Sequence, residues 1–503
     1  MKVGQTGSLI AVSVSKASAT PFHRQIADQI RGAILQGHIP PGMKLPSTRT
    51  LADELAVSRN TILMAFEILA EEGAVASRTG DGTYVTGALW EDGIPFRSET
   101  PRRVGGAAAP RTLSARGRTL TVAAAGEFAE HTTPFMPDLP DLRQFPIRTW
   151  LRLLNEVSGR LTGEILATTP NAGYEPLRRA IAQHLGSSRG MRCDPGQVII
   201  TTGTHQSLDL VCRLLVDPDD PVWFEEPGYV GARAVIAANG GSVHPVEVDA
   251  RGLRVEEAAR TLPTPRLIFT SAARHYPLGA TLSMGRRQAL LAFAERTGSW
   301  IVEDDYDYEF RYAGTSPPAL FGLDPASRTL HMGTFSKILL PSLRLGYLVV
   351  PPDLADAFAK ARATVDRHAS LVEQLVLSEF MSRGLLVSHI RRMRTLYGQR
   401  QGALLAGLRA TLGDDLPLAA TETGMHVVLP LKDAADDHGI VRSLAERGIV
   451  ARALSPYFAG PRKRNGLLLG FAAFDADEIA LGLRRLEPLA PGLIGSIDRA
   501  PAE

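Results

Sequence analysis

Lys337 stands in GTFSKILLPSLRLG, residues 333–346, between two short apolar runs, Thr329–Met332 and Tyr347–Val350. A primary amine on a loop between buried strands gives up its proton readily, and beside an aldehyde it forms a Schiff base. Thr334 and Ser336 add hydroxyls next to it, and Arg344, seven residues on, suits a phosphate. Other reactive types close other apolar runs. Gly203 and Thr204 precede the helix-patterned stretch Gln206–Leu215, where the N–H groups of a helix start suit an anion. Tyr229, in EEPGY, can stack flat on an aromatic ring. Asp304, in EDDYDYEF, is costly near a core without a partner; a pyridinium nitrogen facing it would be one, each group keeping the other charged. Tyr306, two residues on, faces the same side and suits a phenolate oxygen.

A Schiff-base lysine, a phosphate cup with its arginine, a ring stacker, an acid for a ring nitrogen and a phenol partner are together what pyridoxal 5′-phosphate requires. The elements that must position them are short apolar strands alternating with helices. Strand candidates are Val198–Thr202, Val222–Phe224, Leu267–Thr270, Trp300–Val302, Thr329–Met332 and Tyr347–Val350. This α/β rhythm predicts a largely parallel sheet, with the chemistry just past the strand ends.

The first part of the chain is patterned differently. Ile26, Ile30 and Ile34 repeat at helical spacing until Gly37, Pro40, Pro41 and Gly42 stop them. A short helix around Leu51–Leu55 follows, then a second with Ile62, Ala65, Phe66 and Leu69 on one stripe and Ser58 as its N-cap. Its first turn shows Arg59, Asn60 and Thr61 on the opposite face, the arrangement that enters a major groove. Residues 78–84 read as a hairpin with glycines at its tip.

Residues 21–86 resemble the GntR-type winged helix-turn-helix across PFHRQIADQIRGAILQGHIPPGMKLPSTRTLADELAVSRNTILMAFEILAEEGAVASRTGDGTYV. That resemblance implies DNA contacts from Arg49, from Ser58, Arg59, Asn60 and Thr61, and from Gly80 in the wing. NAGYEPLR, TTGTHQSLDL, EEPGY, HYPLG, EDDYDYEF and GTFSKILLPSLRLG occur in the same order as in fold-type-I aminotransferases. This second resemblance implies Lys337 as the aldimine lysine, Asp304 at the ring nitrogen, Tyr306 at the phenolic oxygen and Tyr229 on the ring face. It assigns the phosphate to Gly203, Thr204, Thr334 and Arg344, and it implies a homodimer. Together the two parts resemble the MocR-type transcriptional regulators, a branch of the GntR family. The fold class expected is multidomain: a mostly α winged module and an α/β aminotransferase-like domain.

Two departures fall on the substrate side. Tyr276 stands where aminotransferases usually carry Asn, and Arg274 and His275 stand where related regulators usually read His-Gln. Leu468 in NGLLLGFAA takes a place where an arginine would grip a substrate carboxylate, leaving Arg452, Arg462 and Arg464 as candidates. With Arg274, His275 and Tyr276 these form the expected effector side. The resemblance implies a regulator rather than an enzyme, in which an amino acid or amine displaces Lys337 by aldimine exchange and changes occupancy of a double-stranded DNA operator. Two alternatives are a working aminotransferase with an accessory DNA module, and a regulator that senses pyridoxal phosphate itself.

The chain has 503 residues, room for two to four domains. Lys and Arg number 55 against 53 Asp and Glu, so DNA binding must be local rather than driven by a global field. Cys193 and Cys212 have no metal-like spacing and make no disulfide framework; they read as buried thiols in a reducing, cytoplasmic setting, with no metal. No stretch has the length of a membrane span. The domain limits expected are a flexible tail over 1–20, the DNA-binding module over 21–86, a linker over 87–130, the cofactor domain over 131–491 and a tail over 492–503. Between Gly93 and Arg118 the linker carries Arg97, Arg102, Arg103, Arg111, Arg116 and Arg118 against Glu99, a solvated tether or a set of phosphate contacts beside the operator.

Overall fold

Each strand candidate forms within two residues of its apolar run, because those runs are buried on both faces and need cover from helices. The structure, a computed structural model, describes residues 12–15, 18–78, 81–87, 112–123, 133–167, 170–315, 317–418, 420–461 and 464–499. The chain divides into two units, Met1–Arg111 and Thr112–Glu503.

In the first unit, α1 (Phe22–Leu35), α2 (Thr48–Leu55) and α3 (Arg59–Glu71) are followed by a hairpin of β1 (Val75–Arg78) and β2 (Gly82–Val85). Ile26, Ile30 and Ile34 of α1 meet Ile62, Ala65, Phe66 and Leu69 of α3 in one core; each large apolar side chain buried this way contributes about 1.5–3 kcal/mol. Ser47 and Ser58 start α2 and α3 by accepting from Thr50 N–H and Thr61 N–H, both at 3.1 Å. Residues 12–15 are not the loose tail expected. Ser13 N–H donates to Gln29 Oε1 at 3.0 Å and Ser15 N–H to Gln25 Oε1 at 2.9 Å, two glutamines one turn apart on α1, and Val12 and Val14 pack on the core.

The second unit is built on an eight-stranded sheet ordered β3-β10-β9-β8-β7-β4-β5-β6. The strands are β3 (Val198–Thr201), β4 (Pro221–Glu226), β5 (Ser242–Asp249), β6 (Gly252–Leu253), β7 (Leu267–Thr270), β8 (Trp300–Asp304), β9 (Thr329–Thr334) and β10 (Gly346–Val349). Neighbours from β9 through β5 run parallel, while β10 is antiparallel to both β3 and β9. The C-terminal ends of β3, β4, β7, β8 and β9 and the start of β10 therefore share one edge. Periodicity missed β5, whose His244, Pro245 and Glu247 break its apolar run. It also missed a three-stranded antiparallel sheet of β11 (His426–Leu431), β12 (Arg452–Ala453) and β13 (Asn465–Gly470).

Both expected boundaries of the cofactor domain shift. A helix, Ala115–Ala123, lies inside the segment read as linker and packs against the helix Val230–Ala238, so Arg116 and Arg118 belong to the second unit; Arg97, Arg102, Arg103 and Arg111 lie outside the described residues. At the other end the helix Ala490–Ser496 buries Leu493, and Ile497 joins the same core, so residues 492–499 are packed rather than a tail. Among the described residues no helix is long and apolar enough to cross a membrane.

Candidate functional site

In the first unit the described contact residues inferred from sequence fall on α2 and at the start of α3. Arg49, on α2, and Ser58, Arg59 and Asn60, at the start of α3, are exposed, and Thr61 is half-buried beneath them. Arg59 Nε donates to Thr48 Oγ1 at 3.3 Å, linking the two helices. Gly80 lies outside the described residues. Next to it Asp81 accepts from Lys44 Nζ at 3.0 Å and from Tyr84 OH at 2.7 Å, while the Arg78 guanidinium lies 4.5 Å from the Tyr84 ring centre.

In the second unit the sheet edge brings the six cofactor elements together. Gly203 ends the β3 turn with φ 141°, and the Arg344 guanidinium lies 3.8 Å from where a Cβ would stand on it. A side chain there would fill the cup made by Arg344 and the start of the helix Thr204–Leu215, whose first N–H groups lack intrahelical partners. Thr334 ends β9, its hydroxyl accepting from Ser336 N–H at 3.1 Å and so shaping the turn into Lys337. Tyr229 precedes the helix Val230–Ala238; its OH lies 2.8 Å from His205 Nε2. Sequence reasoning passed over His205, although it follows Thr204 directly.

Asp304 closes β8. Its Oδ1 is buried and has no hydrogen-bond partner. Burial, with Asp305, Glu225 and Asp307 nearby, pushes this carboxyl well above its usual range, and Lys337 only partly opposes them. An orphaned acid at this edge fits a protonated ring nitrogen, which would give it both a hydrogen bond and a counter-charge. Tyr306 lies beyond the end of β8 rather than on it, and its OH accepts from Arg274 Nη1 at 2.7 Å. Arg274 in turn lies 3.3 Å from Asp307, so its guanidinium is engaged by Tyr306 and Asp307 rather than open for the effector contact expected. Gly424 makes room for it: a Cβ there would overlap the guanidinium. Lys337 is half-buried, and burial lowers its affinity for a proton against the opposing pull of Asp138. The cofactor that this set fits is pyridoxal phosphate.

The largest feature that sequence reasoning missed is Asp138. Its carbonyl accepts from Lys337 Nζ at 2.8 Å. Its carboxylate accepts from Tyr276 OH at 2.6 Å, Arg452 Nη1 at 2.9 Å and His426 Nδ1 at 3.0 Å. Burial pushes the Asp138 carboxyl up, but His426, Lys337 and Arg452 outweigh it and hold the group well below the usual carboxylate range. Burial and Arg274 lower the His426 pKa, while Asp138 and the Pro277 carbonyl oppose them; Nδ1 faces Asp138 at 3.0 Å and Nε2 faces the Pro277 carbonyl at 2.9 Å, so both ring nitrogens look onto acceptors. Tyr276 is packed edge-on by Tyr229, Tyr306, Tyr457 and His426. No periodicity or local spacing joins residues 138, 276, 426 and 452.

The remaining effector candidates separate. Arg452 pairs in register with Leu468 across β12 and β13, so a guanidinium reaches the site from the strand next to the place that lacks one. His275 is buried and bonds the Pro227 carbonyl at 2.8 Å; burial drives its pKa down to about 3, and it props the Pro227 turn instead of facing an effector. Arg464 lines a separate cleft of about 340 Å³ with Glu226, Glu247 and Phe458. Arg462 lies outside the described residues. Behind the site Glu225 accepts from Thr270 OH at 2.6 Å and Ser271 N–H at 3.0 Å, and burial pushes its carboxyl up to about 7.

Residues 22–85 match the family model of bacterial regulatory proteins, gntR family, and residues 138–486 match that of aminotransferase class I and II. The chain is 38% identical over 486 residues, 96% of its own length and 97% of the relative's, to the probable rhizopine catabolism regulatory protein MocR of Rhizobium meliloti. Kynurenine aminotransferase of Pyrococcus horikoshii, solved in complex with PMP, superposes with TM-score 0.67 at 26% identity, covering 76% of this chain and 95% of that one. LysN, the alpha-aminoadipate aminotransferase of Thermus thermophilus, solved with N-(5′-phosphopyridoxyl)-L-leucine, gives 0.66 at 27% identity over 75% and 95%. With a GntR helix-turn-helix region and an aminotransferase class I and II domain in one polypeptide, the chain belongs to the MocR-type regulators of the GntR family.

Proposed function

We propose that the chain is a transcriptional regulator that binds operator DNA through α2, α3 and the wing and senses an amino-bearing small molecule at Lys337. Bound there, pyridoxal phosphate would supply an electrophilic carbon open to an amine. The observation that carries this reading is the orphaned Oδ1 of Asp304 on the same sheet edge as Lys337, a charge site suited to the cofactor's ring nitrogen. Gly203, Thr204, Thr334 and Arg344 would hold its phosphate, Tyr229 would cover its ring, and Tyr306, set by Arg274, would donate to its phenolic oxygen. Asp138 holds the amine of Lys337 through its carbonyl, so release of the lysine removes one contact of that segment while Tyr276, Arg452 and His426 keep its carboxylate. A homodimer presents two winged modules to a repeated operator element, and by linkage DNA changes effector affinity by the same factor as effector changes DNA affinity.

The test is visible absorbance of the cofactor-loaded protein while a panel of amines and amino acids is added without a keto acid and then with one. One compound is expected to give a long-lived spectral change, with no product in either condition and a shift in operator affinity. A spectrum that runs on to the pyridoxamine form and cycles back with keto acid would make the chain an aminotransferase instead. Lys337→Ala is expected to lose the Schiff-base absorbance band while keeping sequence-specific DNA binding.

A further inference from the structure

Given that reading, the residues around Lys337 bear on which amines fit. We propose that Asp138 and Arg452 together exclude a free carboxylate, so that the effector is an amine carrying hydroxyl groups where an amino acid carries its carboxylate.

Asp138 sits at the reacting amine, because its own carbonyl receives Lys337 Nζ at 2.8 Å. Its side chain is 8% exposed and takes hydrogen bonds from His426, Tyr276 and Arg452. The backbone at Asp138 has φ 64°, a left-handed conformation that few side chains other than Asn and Asp adopt readily. A carboxylate is thus held in the site by a residue suited to that backbone. Among the candidates in the described residues, Arg452, whose side chain is 35% exposed, is the guanidinium within reach: Arg274 is taken by Tyr306 and Asp307, Arg464 lines another cleft, and Leu468, opposite Arg452 in register, brings no charge.

An effector carboxylate approaching Arg452 therefore meets a cation already matched by an anion 2.9 Å away. Two carboxylates would share one half-buried guanidinium, and the second gains little attraction while it repels the first. A hydroxyl carries no such penalty. It accepts from the N–H groups that Arg452 has left and donates to Asp138, so it fits the pair as it stands. Tyr276 cannot substitute for the lost cation, since its one proton goes to Asp138.

The experiment titrates the cofactor-loaded protein with serinol and with L-serine, which differ only in a hydroxymethyl group in place of the carboxylate, and follows visible absorbance. The wild type is expected to respond to serinol at a concentration about tenfold or more below that for L-serine, equivalent to one unit of pKa in interaction. In Asp138→Asn, where Asn tolerates the same backbone and keeps the carbonyl for Lys337, Arg452 is unmatched, and the order is expected to reverse. A wild type that prefers L-serine overturns the inference and leaves amine sensing standing; an unchanged ratio in Asp138→Asn overturns it too. Spectral silence to both compounds and to every other amine removes this inference together with the reading it rests on. Should Asp138→Asn not fold, Arg452→Gln carries the test: it takes one cation from the Asp138 carboxylate, so 1,3-diaminopropane must gain on L-serine, and no gain overturns the proposal.

Discussion

Arg49, Arg59 and Asn60 stand in solvent on the first unit, whereas Asp138, Asp304, Arg274 and His426 are buried in the second. The difference follows from what each partner brings. DNA brings its own charge and its own base edges, so a protein that reads it needs donors held outward on a rigid helix, and α3 supplies them with its cap and first turn. A cofactor and a small amine are enclosed, so the groups that hold them must be desolvated beforehand, and their proton affinities move accordingly. Burial raises the carboxyls of Asp304, Asp307 and Glu225 and lowers the proton affinity of Lys337, while Arg49 and Arg59 present their charge to water. Breaking each unit's charges should therefore produce unlike symptoms.

The largest expected effect is at Asp304. Asp304→Asn removes the counter-charge for the ring nitrogen and is expected to weaken cofactor retention by about 2–5 kcal/mol, the cost of truncating one partner of a buried charge pair. The cofactor-free variant is expected to melt at a higher temperature than the cofactor-free wild type, because a buried carboxyl without a partner is lost. Equilibrium dialysis and thermal unfolding check the two halves. A variant that binds the cofactor as well as the wild type would show that Asp304 faces something else.

The same contrast governs how much was legible beforehand. Arg59, Asn60 and Thr61 lie side by side on one helix, so the stripe of Ile62, Ala65, Phe66 and Leu69 also fixes where they point. Asp304, Lys337 and Tyr229 were legible because each ends or follows a continuous apolar strand, and parallel strands bring such ends to one edge. Asp138 was not. It lies outside any periodic element, and its partners Tyr276, His426 and Arg452 come from a turn and from two strands of the small C-terminal sheet. That sheet was itself unread, since β12 has two residues and β11 carries a proline. His275 was misread for a related reason: its neighbours in sequence face the site, but its ring turns back to the Pro227 carbonyl.

A second, smaller effect sharpens the cost of a buried acid. The Glu225 carboxyl moves from 4.5 in water to about 7 in the folded chain, so between those values the folded state keeps a proton that the unfolded state has released. Stability is fully present below the unfolded value and is lost as pH rises through the folded one, by up to about 3 kcal/mol. Glu225→Gln is expected to remove that loss. The gap between variant and wild-type melting temperatures, measured on cofactor-free protein, should widen from about pH 4.5 to 7 and stay level above. Asp307, raised to about 6 by burial, has the same sign and is unaffected by the substitution, so the variant keeps part of the slope. A gap that does not change with pH would mean that Glu225 is ionised throughout.

The smallest effect belongs to the exposed unit, where nothing buried is disturbed. Arg59→Ala is expected to weaken operator binding by about 1–3 kcal/mol, the value of one good base contact, and to leave the cofactor spectrum and the melting temperature of the second unit as they were. Salt then separates the two things an exposed arginine at a helix start can do. If Arg59 reads a base edge, the variant loses discrimination between operator and mutated operator while the dependence of affinity on salt stays nearly parallel to the wild type. If it touches a phosphate, affinity falls alike on all sequences and the salt slope drops by about one. Arg59 sits at the first position of α3, tied to α2 through Thr48, and the helix that carries it is fixed by its core stripe; the base edge is therefore the expected outcome, with specificity lost and the slope kept.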